Sequence, residues 1–503
     1  MKEEMLVKPN TLWTLLETKA REEPTHNFLA ADDGGTWLSY ESVRAQVAQS
    51  VDGLRSAGLH PGDRVAVRLA RPDRFVIAWL ALLSMDAVAV PVDSQAPAAD
   101  RLRTLDRTGA AFLLHDGSDE VSPAFGSIVG DGVVWRLEHA PIGPRLTRRN
   151  DSGGLILLTS GTTGDPKPVG LPTEALIHTA TQVADVHRLK SGDIGYSPLP
   201  LFHINGEVVG VLASLIAGAS TIVSDRFHAG RFWSVVNHYR PTWLNLVPSI
   251  LKVLVGVPEG PIHPEEIRFI RSASAPLPLS TLTAIEARWG IPIIETYGLS
   301  EAASQIAANP LDGRRVGSVG KPVATEIRIV DGLGLVLPPG ATGEVEIRGT
   351  AVIDPAWGPN RWAVEKYRRG WYRTGDLGRF DIDGYLYLSG RSRELINRGG
   401  EKIFPREVEE VILEHPALVD CAVVGRPHKL LGEEPVAFVV PHHDDIDVQR
   451  LEQELADLVG GRLSRFKCPA QYFVVNALPK GSTGKVSRQS LRQHAMGMAN
   501  SQG

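Results

Sequence analysis

Leu155-Ile156-Leu157-Leu158 runs directly into Thr159-Ser160-Gly161-Thr162-Thr163-Gly164-Asp165-Pro166-Lys167. The first four residues are a short apolar run bounded by glycines, the pattern of a buried strand. The loop after it offers backbone N–H groups and hydroxyls at the strand's tip, which together make an anion cradle. Its glycines let a phosphate come close to the backbone, and Lys167 adds a positive charge. This is not a Walker A loop, because the spacing Gly-x4-Gly-Lys-Ser/Thr is absent. Pro166 and Pro168 flank the lysine, so no helix starts there. An ordinary Ser/Thr/Gly surface loop is the alternative; the strand before it and the lysine after it favour phosphate binding.

Bulk properties frame that loop. At 503 residues the chain exceeds a single hydrophobic core, so two or more domains are expected. With 43% apolar and 22% charged residues it has the composition of an ordinary globular protein. The net charge of −5, without a dense basic run, argues against a nucleic-acid partner. Two cysteines, Cys421 and Cys468, exclude a disulfide framework and a four-cysteine zinc site. A reducing, cytoplasmic setting is the expectation. Residues 1–9 lack the apolar core of a secretory signal, and the C-terminal residues match no peroxisomal or lipidation signal. No apolar run, 75–83 included, is long enough for a membrane span.

Periodicity predicts helices over 11–20 and 40–57, the second opened by Ser39 and closed by Gly58. Strands over 64–69 and 87–92 enclose an apolar helix that begins at Pro72. A helix over 101–107 and a strand over 111–115 follow, whereas 116–150 show little periodicity. Beyond the glycine loop come helices over 173–187 and 208–217, then strands over 220–223 and 243–247 around a helix near 231–238. A strand over 267–271, a helix over 280–289 and a strand over 293–296 complete this part. Residues 1 to about 300 thus repeat strand–helix–strand, the mark of parallel sheets with covering helices. Short strands over 326–330, 343–348 and 384–388, separated by Gly, Pro and Asp-Gly turns, predict a small β-rich subdomain. Past Ser389 helix and strand mix again over a stretch large enough for an independent domain. The polar, glycine-led Gly390-Arg391-Ser392-Arg393-Glu394 reads as the hinge.

Five further stretches carry candidate chemistry, each with a bland alternative. Pro200-Leu201-Phe202-His203 sets an imidazole beside an aromatic ring, though a lone histidine is more often structural. Arg271-Ser272-Ala273-Ser274-Ala275-Pro276-Leu277 is a small-residue loop open to a flat ring, or simply a connection. Glu295-Thr296-Tyr297-Gly298-Leu299-Ser300-Glu301 offers an aromatic face, a hydroxyl and a hard oxygen ligand suited to Mg2+. Trp371-Tyr372-Arg373-Thr374-Gly375-Asp376 ends in a carboxylate able to accept two hydrogen bonds from vicinal hydroxyls, or to cap a turn. Leu478-Pro479-Lys480-Gly481-Ser482-Thr483-Gly484-Lys485 carries a lysine that alone would read as solvated.

In this order the segments resemble the adenylate-forming superfamily: acyl-CoA synthetases, firefly luciferase and peptide-synthetase adenylation domains. The resemblance spans residues 11–488. Its most specific parts are Thr-Ser-Gly-Thr-Thr-Gly-x-Pro-Lys at 159–167 and Gly-Arg-x4-Ile-x2-Gly-Gly at 390–400. Residues 393–405 look most like oxalate–CoA ligases. The fold it implies is α/β: a large N-terminal domain (1–389) of two α/β subdomains plus a small β-barrel-like subdomain, a hinge (390–393), and a small mobile α+β C-terminal domain (394–503).

The resemblance implies two half-reactions. A carboxylate attacks the α-phosphorus of Mg-ATP, giving an acyl-adenylate and pyrophosphate; a thiol then displaces AMP. An anion must approach a polyanion, so positive charge and oriented donors matter more than a strong base. The implied phosphate grip is Thr159, Ser160, Gly161, Thr162, Thr163, Gly164 and Lys167. Glu301 and Thr159 are the implied metal positions, and Ser300, where threonine is commoner, contacts the α-phosphate. Tyr297 would stack on adenine against Ser274, Ala275 and Pro276, with Glu295 and Thr296 alongside. Asp376 would hold the ribose and Arg391 a second ribose or phosphate contact. Lys485 would bridge the acid's carboxylate and the α-phosphate; with Ser300, Glu301 and His203 it completes the catalytic set. Phe202, His203, Asn205, Trp243, Gly298 and Leu299 are the implied acid pocket, Gly399 and Gly400 the CoA channel, and Arg393 the hinge residue.

ATP, Mg2+ and CoA are the implied cofactors, with a small carboxylic acid as substrate. A carrier-protein pantetheine or an amine is the alternative acceptor. A non-catalytic nucleotide binder is a third reading, opposed by intact Lys167, Glu301, Asp376 and Lys485. Three positions depart from the family pattern. Pro168 stands in place of glycine, Arg393 in place of Asp or Lys, and Asn205 in place of a second histidine found in oxalate-type enzymes. The apolar residues 208–212 point to a medium-sized acid with an apolar or aromatic body rather than to oxalate.

Overall fold

The computed structural model describes residues 11–116, 126–130, 133–139, 152–159, 166–443, 446–480 and 486–499. Ser160, Gly161, Thr162, Thr163, Gly164 and Lys485 lie outside the described residues. The helix Pro72–Ser84 shows how the chain builds its largest core. Proline in the first turn gives up only an N–H that the helix cannot use, and every residue from Phe75 to Ser84 is buried. A helix apolar on all sides must be enclosed. This one packs against strand Asn27–Ala31 of one sheet and against Arg64–Arg68 and Val88–Pro91 of another. Its neighbour Tyr40–Ser56 is one-sided, burying Tyr40, Val43, Val47, Val51 and Leu54. Ser39 caps it, its hydroxyl accepting from the Ser42 N–H at 3.2 Å, a contribution of about 1 kcal/mol.

The first sheet has nine strands. Its parallel centre runs in the order Ile293–Leu299, Phe269–Ser272, Trp243–Leu246, Ile194–Ser197, Ser220–Val223, Asn27–Ala31. The second has seven, with Phe112–His115, Arg64–Arg68, Val88–Pro91 and Gly154–Thr159 parallel at its centre. Both carry antiparallel strands at their margins, so the strand–helix–strand repeat holds for the centres and not for the edges. One edge is the hairpin Gly126–Gly130 with Val133–His139, within the stretch whose periodicity is weak. The other is Lys167–Pro172, which folds back on Gly154–Thr159 with Thr159 opposite Lys167. Thr159 and Lys167, which flank the glycine-rich stretch, are thus antiparallel partners, in keeping with the prolines that bar a helix start there.

Strands Glu326–Val330, Gly343–Arg348, Tyr367–Arg368, Trp371–Phe380 and Leu386–Arg391 form a third, antiparallel sheet. The run 371–376, read from sequence as ending in the Asp376 carboxylate, is the start of one ten-residue strand. A fourth sheet holds Ile396–Arg398, Glu401–Ile403, Leu418–His428, Gly432–Pro441 and Tyr472–Val474. Its two faces have their own cores, built from residues 396–472 and 422–495. Gly399 and Gly400 join its first two strands at φ +61° and +95°, angles that favour glycine. Among the described residues no helix is long and apolar enough to cross a membrane.

Candidate active site

In an open parallel sheet the ligand edge is the carboxyl end of the strands, where the strand order reverses. Here the chain leaves Ile194–Ser197, adds Ser220–Val223 on one side, and returns to add Trp243–Leu246 on the other. The carboxyl ends of Ile194–Ser197, Trp243–Leu246, Phe269–Ser272 and Ile293–Leu299 therefore face a common crevice. Three non-glycine residues near it are held at positive φ: Ser274 at +74°, Ala303 at +52° and Ser304 at +94°. Such backbone costs about 1–3 kcal/mol per residue and gathers where function demands it.

The residues read as nucleotide contacts meet across two sheets. The strand Ile293–Leu299 runs three residues further than the sequence indicated, because Ser304–Ala308 pairs with its end antiparallel. Tyr297 and Gly298 thus lie within the strand rather than after it. A Cβ on Gly298 would overlap the Ser304 carbonyl oxygen, so only glycine fits there. Tyr297 is buried, and its hydroxyl donates to Asp376 Oδ2 at 2.6 Å. Strand register sets Asp376 opposite Arg391, whose Nε lies 3.1 Å from Asp376 Oδ1. Burial and the Asp376 carboxylate push the Tyr297 hydroxyl well above its usual range, keeping it a donor. Glu295 is pushed up to about 7 by burial, against the pull of the Gly317 N–H on Oε2 at 3.0 Å. Thr296 Oγ1 donates to the Ser272 carbonyl at 3.3 Å, tying two neighbouring strand ends together. Ser300 and Glu301 form the 3-10 turn after the strand, both half-buried. Ala275 and Pro276 are exposed with Ser274 on the loop beyond Phe269–Ser272.

Lys167 does not hang free at the loop's exit. Its ammonium lies 4.9 Å from the centre of the Trp362 ring, a cation–π contact. Trp362 Nε1 also donates to the Pro168 carbonyl at 2.7 Å. Pro168 is accommodated because it sits on an edge strand, where a missing N–H costs no central ladder bond. Asn360 pairs with both the N–H and the carbonyl of Gly170 at 2.7 Å, so the segment 357–362 covers that edge.

Phe202 and His203 stand side by side, ring centres 4.5 Å apart and half-buried. Gly298 and Leu299 are half-buried at the same strand end. Trp243 needs a correction. It starts its strand, at the end opposite the crevice, and is sealed in the core against Gly195 and Phe269. A strand reading could place Trp243 in the sheet but not at either end of it relative to a ligand.

Behind Asn205 lies a polar cluster that sequence reading missed. Parallel register sets Asn245 beside Arg271, and both side chains are buried. Arg271 donates from Nε to Gln305 Oε1 at 3.0 Å, and from Nη1 to Asn205 Oδ1 at 3.1 Å and Asn245 Oδ1 at 2.9 Å. Burial pulls its guanidinium down to about 9. His187 Nε2 is 3.3 Å from Gln305 Oε1, and burial with the Arg271 charge holds this imidazole neutral, down to about 3. Glu207 is fully buried in the π-helix Asn205–Leu212, which takes up the first part of the predicted helix. Burial pushes its carboxyl well above the usual range, and among the described residues neither oxygen has a hydrogen-bond partner. The available signal was a charged or amide residue inside an apolar run: Phe-Ile-Arg, Trp-Leu-Asn-Leu, Gly-Glu-Val-Val.

The family model for AMP-binding enzymes matches residues 16–355, and that for the AMP-binding enzyme C-terminal domain matches 407–485. The chain belongs to the AMP-binding enzymes, and fold and site define the adenylate-forming class. It is an AMP-forming acid–thiol ligase: ATP with Mg2+ activates a carboxylic acid, and CoA accepts the acyl group. A sulfoacetate–CoA ligase of Cupriavidus necator is 34% identical over 97% of this chain and 98% of its own length. An oxalate–CoA ligase of Arabidopsis thaliana is also 34% identical, over 96% and 98%. Among solved structures, ATP-bound MatB from Rhodopseudomonas palustris superposes with a TM-score of 0.83 at 26% identity, covering 97% of this chain and 99% of that one. The donors present fit such ligands: carboxylates at Asp376 and Glu301 and a hydroxyl at Thr159 are hard oxygen groups. Ser272 Oγ and Gln305 Nε2 are buried polar atoms at the same strand ends with no hydrogen-bond partner among the described residues.

Proposed function

We propose that the crevice at the carboxyl ends of the first sheet activates a small organic acid, with Asp376, Tyr297 and Arg391 holding the nucleoside. The observation that carries this is their convergence: a tyrosine and a carboxylate 79 positions apart meet at 2.6 Å, with a guanidinium on the other oxygen. Lys167 and the loop 159–164 grip the β- and γ-phosphates, and Ser300 contacts the α-phosphate. Glu301 and Thr159 are the positions for Mg2+, which supplies charge neutralisation on the phosphates when bound. The acid's carboxylate oxygen attacks the α-phosphorus as the bond to pyrophosphate breaks. Lys485 screens both anions at that moment. The CoA sulfur then attacks the acyl carbon, AMP leaves with the electron pair, and the thiol proton passes to solvent.

Residues 1–389 form the nucleotide- and acid-binding domain and 394–503 a mobile domain, turning at 390–393 about Arg393. Rotation withdraws Lys485 and brings Gly399 and Gly400 up to line the thiol's path. His203, with Phe202, Asn205, Gly298 and Leu299, lines the acid pocket. Cys421 and Cys468 are both free thiols, which supports a cytoplasmic setting. ATP–pyrophosphate exchange across a panel of acids, followed by product mass with and without CoA, tests the reading. Acid-dependent exchange and a CoA thioester are expected. Exchange without a thioester points to a carrier-protein or amine acceptor; no exchange with any acid overturns the proposal.

A further inference from the structure

Arg271 is a buried cation that faces no carboxylate among the described residues. All three of its hydrogen-bond partners are side-chain amides: Gln305, Asn205 and Asn245. A guanidinium has donors and no acceptor, so each of these amides must turn its oxygen inward. The amide orientations follow from that chemistry alone.

The result is a set of donors aimed away from the arginine. The Gln305 oxygen is used by Arg271 Nε and by His187 Nε2, and its buried Nε2 has no partner among the described residues. The Asn205 oxygen is used by Arg271 Nη1 and by Asn245 Nδ2 at 3.2 Å. Its own Nδ2 meets only Ser274 Oγ, at 3.4 Å, which leaves one hydrogen over. Ser274 is exposed, so the array opens onto the loop after Phe269–Ser272. Gln305 pairs in register with Gly298, and Asn205 follows His203 by two residues, so the array borders the acid pocket. Glu207, in the same π-helix as Asn205, has its carboxyl pushed well above the usual range by burial.

Burying an uncompensated charge is costly, and amide oxygens supply only partial negative charge. We propose that the counter-ion arrives with the substrate: the cluster recognises a second oxyanion at the far end of the carboxylic acid. Asn205 and Gln305 touch that group, and Arg271 is a positioning residue that fixes their donors and supplies the field. The substrate class becomes a short acid carrying a distal carboxylate or sulfonate, in place of one with an apolar body. This rests on the acid–thiol ligase reading above.

The test is kcat/KM in exchange and thioester assays for matched acids: propanoate against malonate and sulfoacetate, butanoate against succinate. At least a tenfold preference for the doubly charged members is expected, and whether carboxylate or sulfonate leads identifies the oxyanion. Gln305→Glu and Asn205→Asp each give Arg271 an internal carboxylate. In both, KM for the preferred acid is expected to rise at least tenfold, with kcat within threefold and KM for ATP within twofold. A retained KM for ATP shows that the variants fold; if they do not fold, the wild-type panel decides alone. Equal use of charged and uncharged tails, or an unchanged preference in folded Gln305→Glu, overturns the subsite and leaves the ligase reading standing. No exchange with any acid overturns both.

Discussion

Asp376 spends both oxygens on protein groups, Tyr297 Oη and Arg391 Nε, from two different sheets. A carboxylate held from both sides keeps a fixed direction, which is what recognition of two vicinal hydroxyls requires. Asp376→Ala is expected to raise KM for ATP by roughly tenfold or more, with KM for the acid nearly unchanged; steady-state kinetics with each substrate varied in turn checks this. Glu295 makes a second prediction. Below about pH 4.5 its carboxyl is protonated in both folded and unfolded chains and costs nothing. As pH rises towards 7 the unfolded chain releases a proton that the folded chain keeps, so this group lowers stability across that window. Glu295→Gln keeps an oxygen for the Gly317 N–H and removes the slope. Relative to pH 5, the variant should gain on the order of 3 kcal/mol over wild type at pH 8, read by denaturant unfolding. At this scale the contiguous stretch 295–301 was legible as a strand end followed by a turn, although its strand runs to Leu299. Arg271 was visible as a residue but not as a centre. Its amide partners come from three separate segments, and only strand register brings Asn245 beside it.

Among elements, the third sheet is joined by charge as well as by its ladder. Glu346 is fully buried and accepts from Arg328 on the strand beside it and from Arg368 beyond, with contacts of 2.6–2.9 Å. Removing the shared carboxylate leaves two arginines facing each other without an anion. Glu346→Ala is therefore expected to cost about 3–5 kcal/mol, measured as a fall in the unfolding midpoint. Long helices such as Tyr40–Ser56 were legible because their apolar spacing and caps are local. The hairpin over 126–139 and the return strand Lys167–Pro172 were not. Lys-Pro-Val-Gly carries few strand formers, and pairing with a neighbouring strand rather than local alternation makes it a strand. The ligand edge of Trp243's strand was equally hidden, since strand direction in a sheet is a property of neighbours.

At the scale of the whole molecule, polar contacts that join the C-terminal unit to the rest lie at the surface of both. Lys252 pairs with Asp420 at 2.7 Å, and Arg406 donates to the Leu388 carbonyl at 2.9 Å. Both are partly exposed, and contacts of that kind contribute about 0–1 kcal/mol each, a scale compatible with the rotation proposed above. Lys485→Ala is expected to abolish acid-dependent pyrophosphate exchange while still converting a supplied acyl-adenylate and CoA to the thioester. Normal exchange by the variant would refute the role of Lys485. The proposed division of labour between Lys167 and Lys485 comes from motif order in the sequence, and Lys485 lies outside the described residues.

The resting place of Lys167 has an optical consequence. An ammonium above an indole perturbs the ring's excited state, and phosphate competes for that ammonium far better than a π face does. On the role proposed for Lys167, nucleotide binding unloads Trp362 and gives the protein its own emission sensor for occupancy. Titration with ATP should shift the tryptophan fluorescence of the wild type, and Trp362→Phe should remove that component while exchange activity persists. The side chain that covers an edge strand would thereby double as a gauge of the charge it holds.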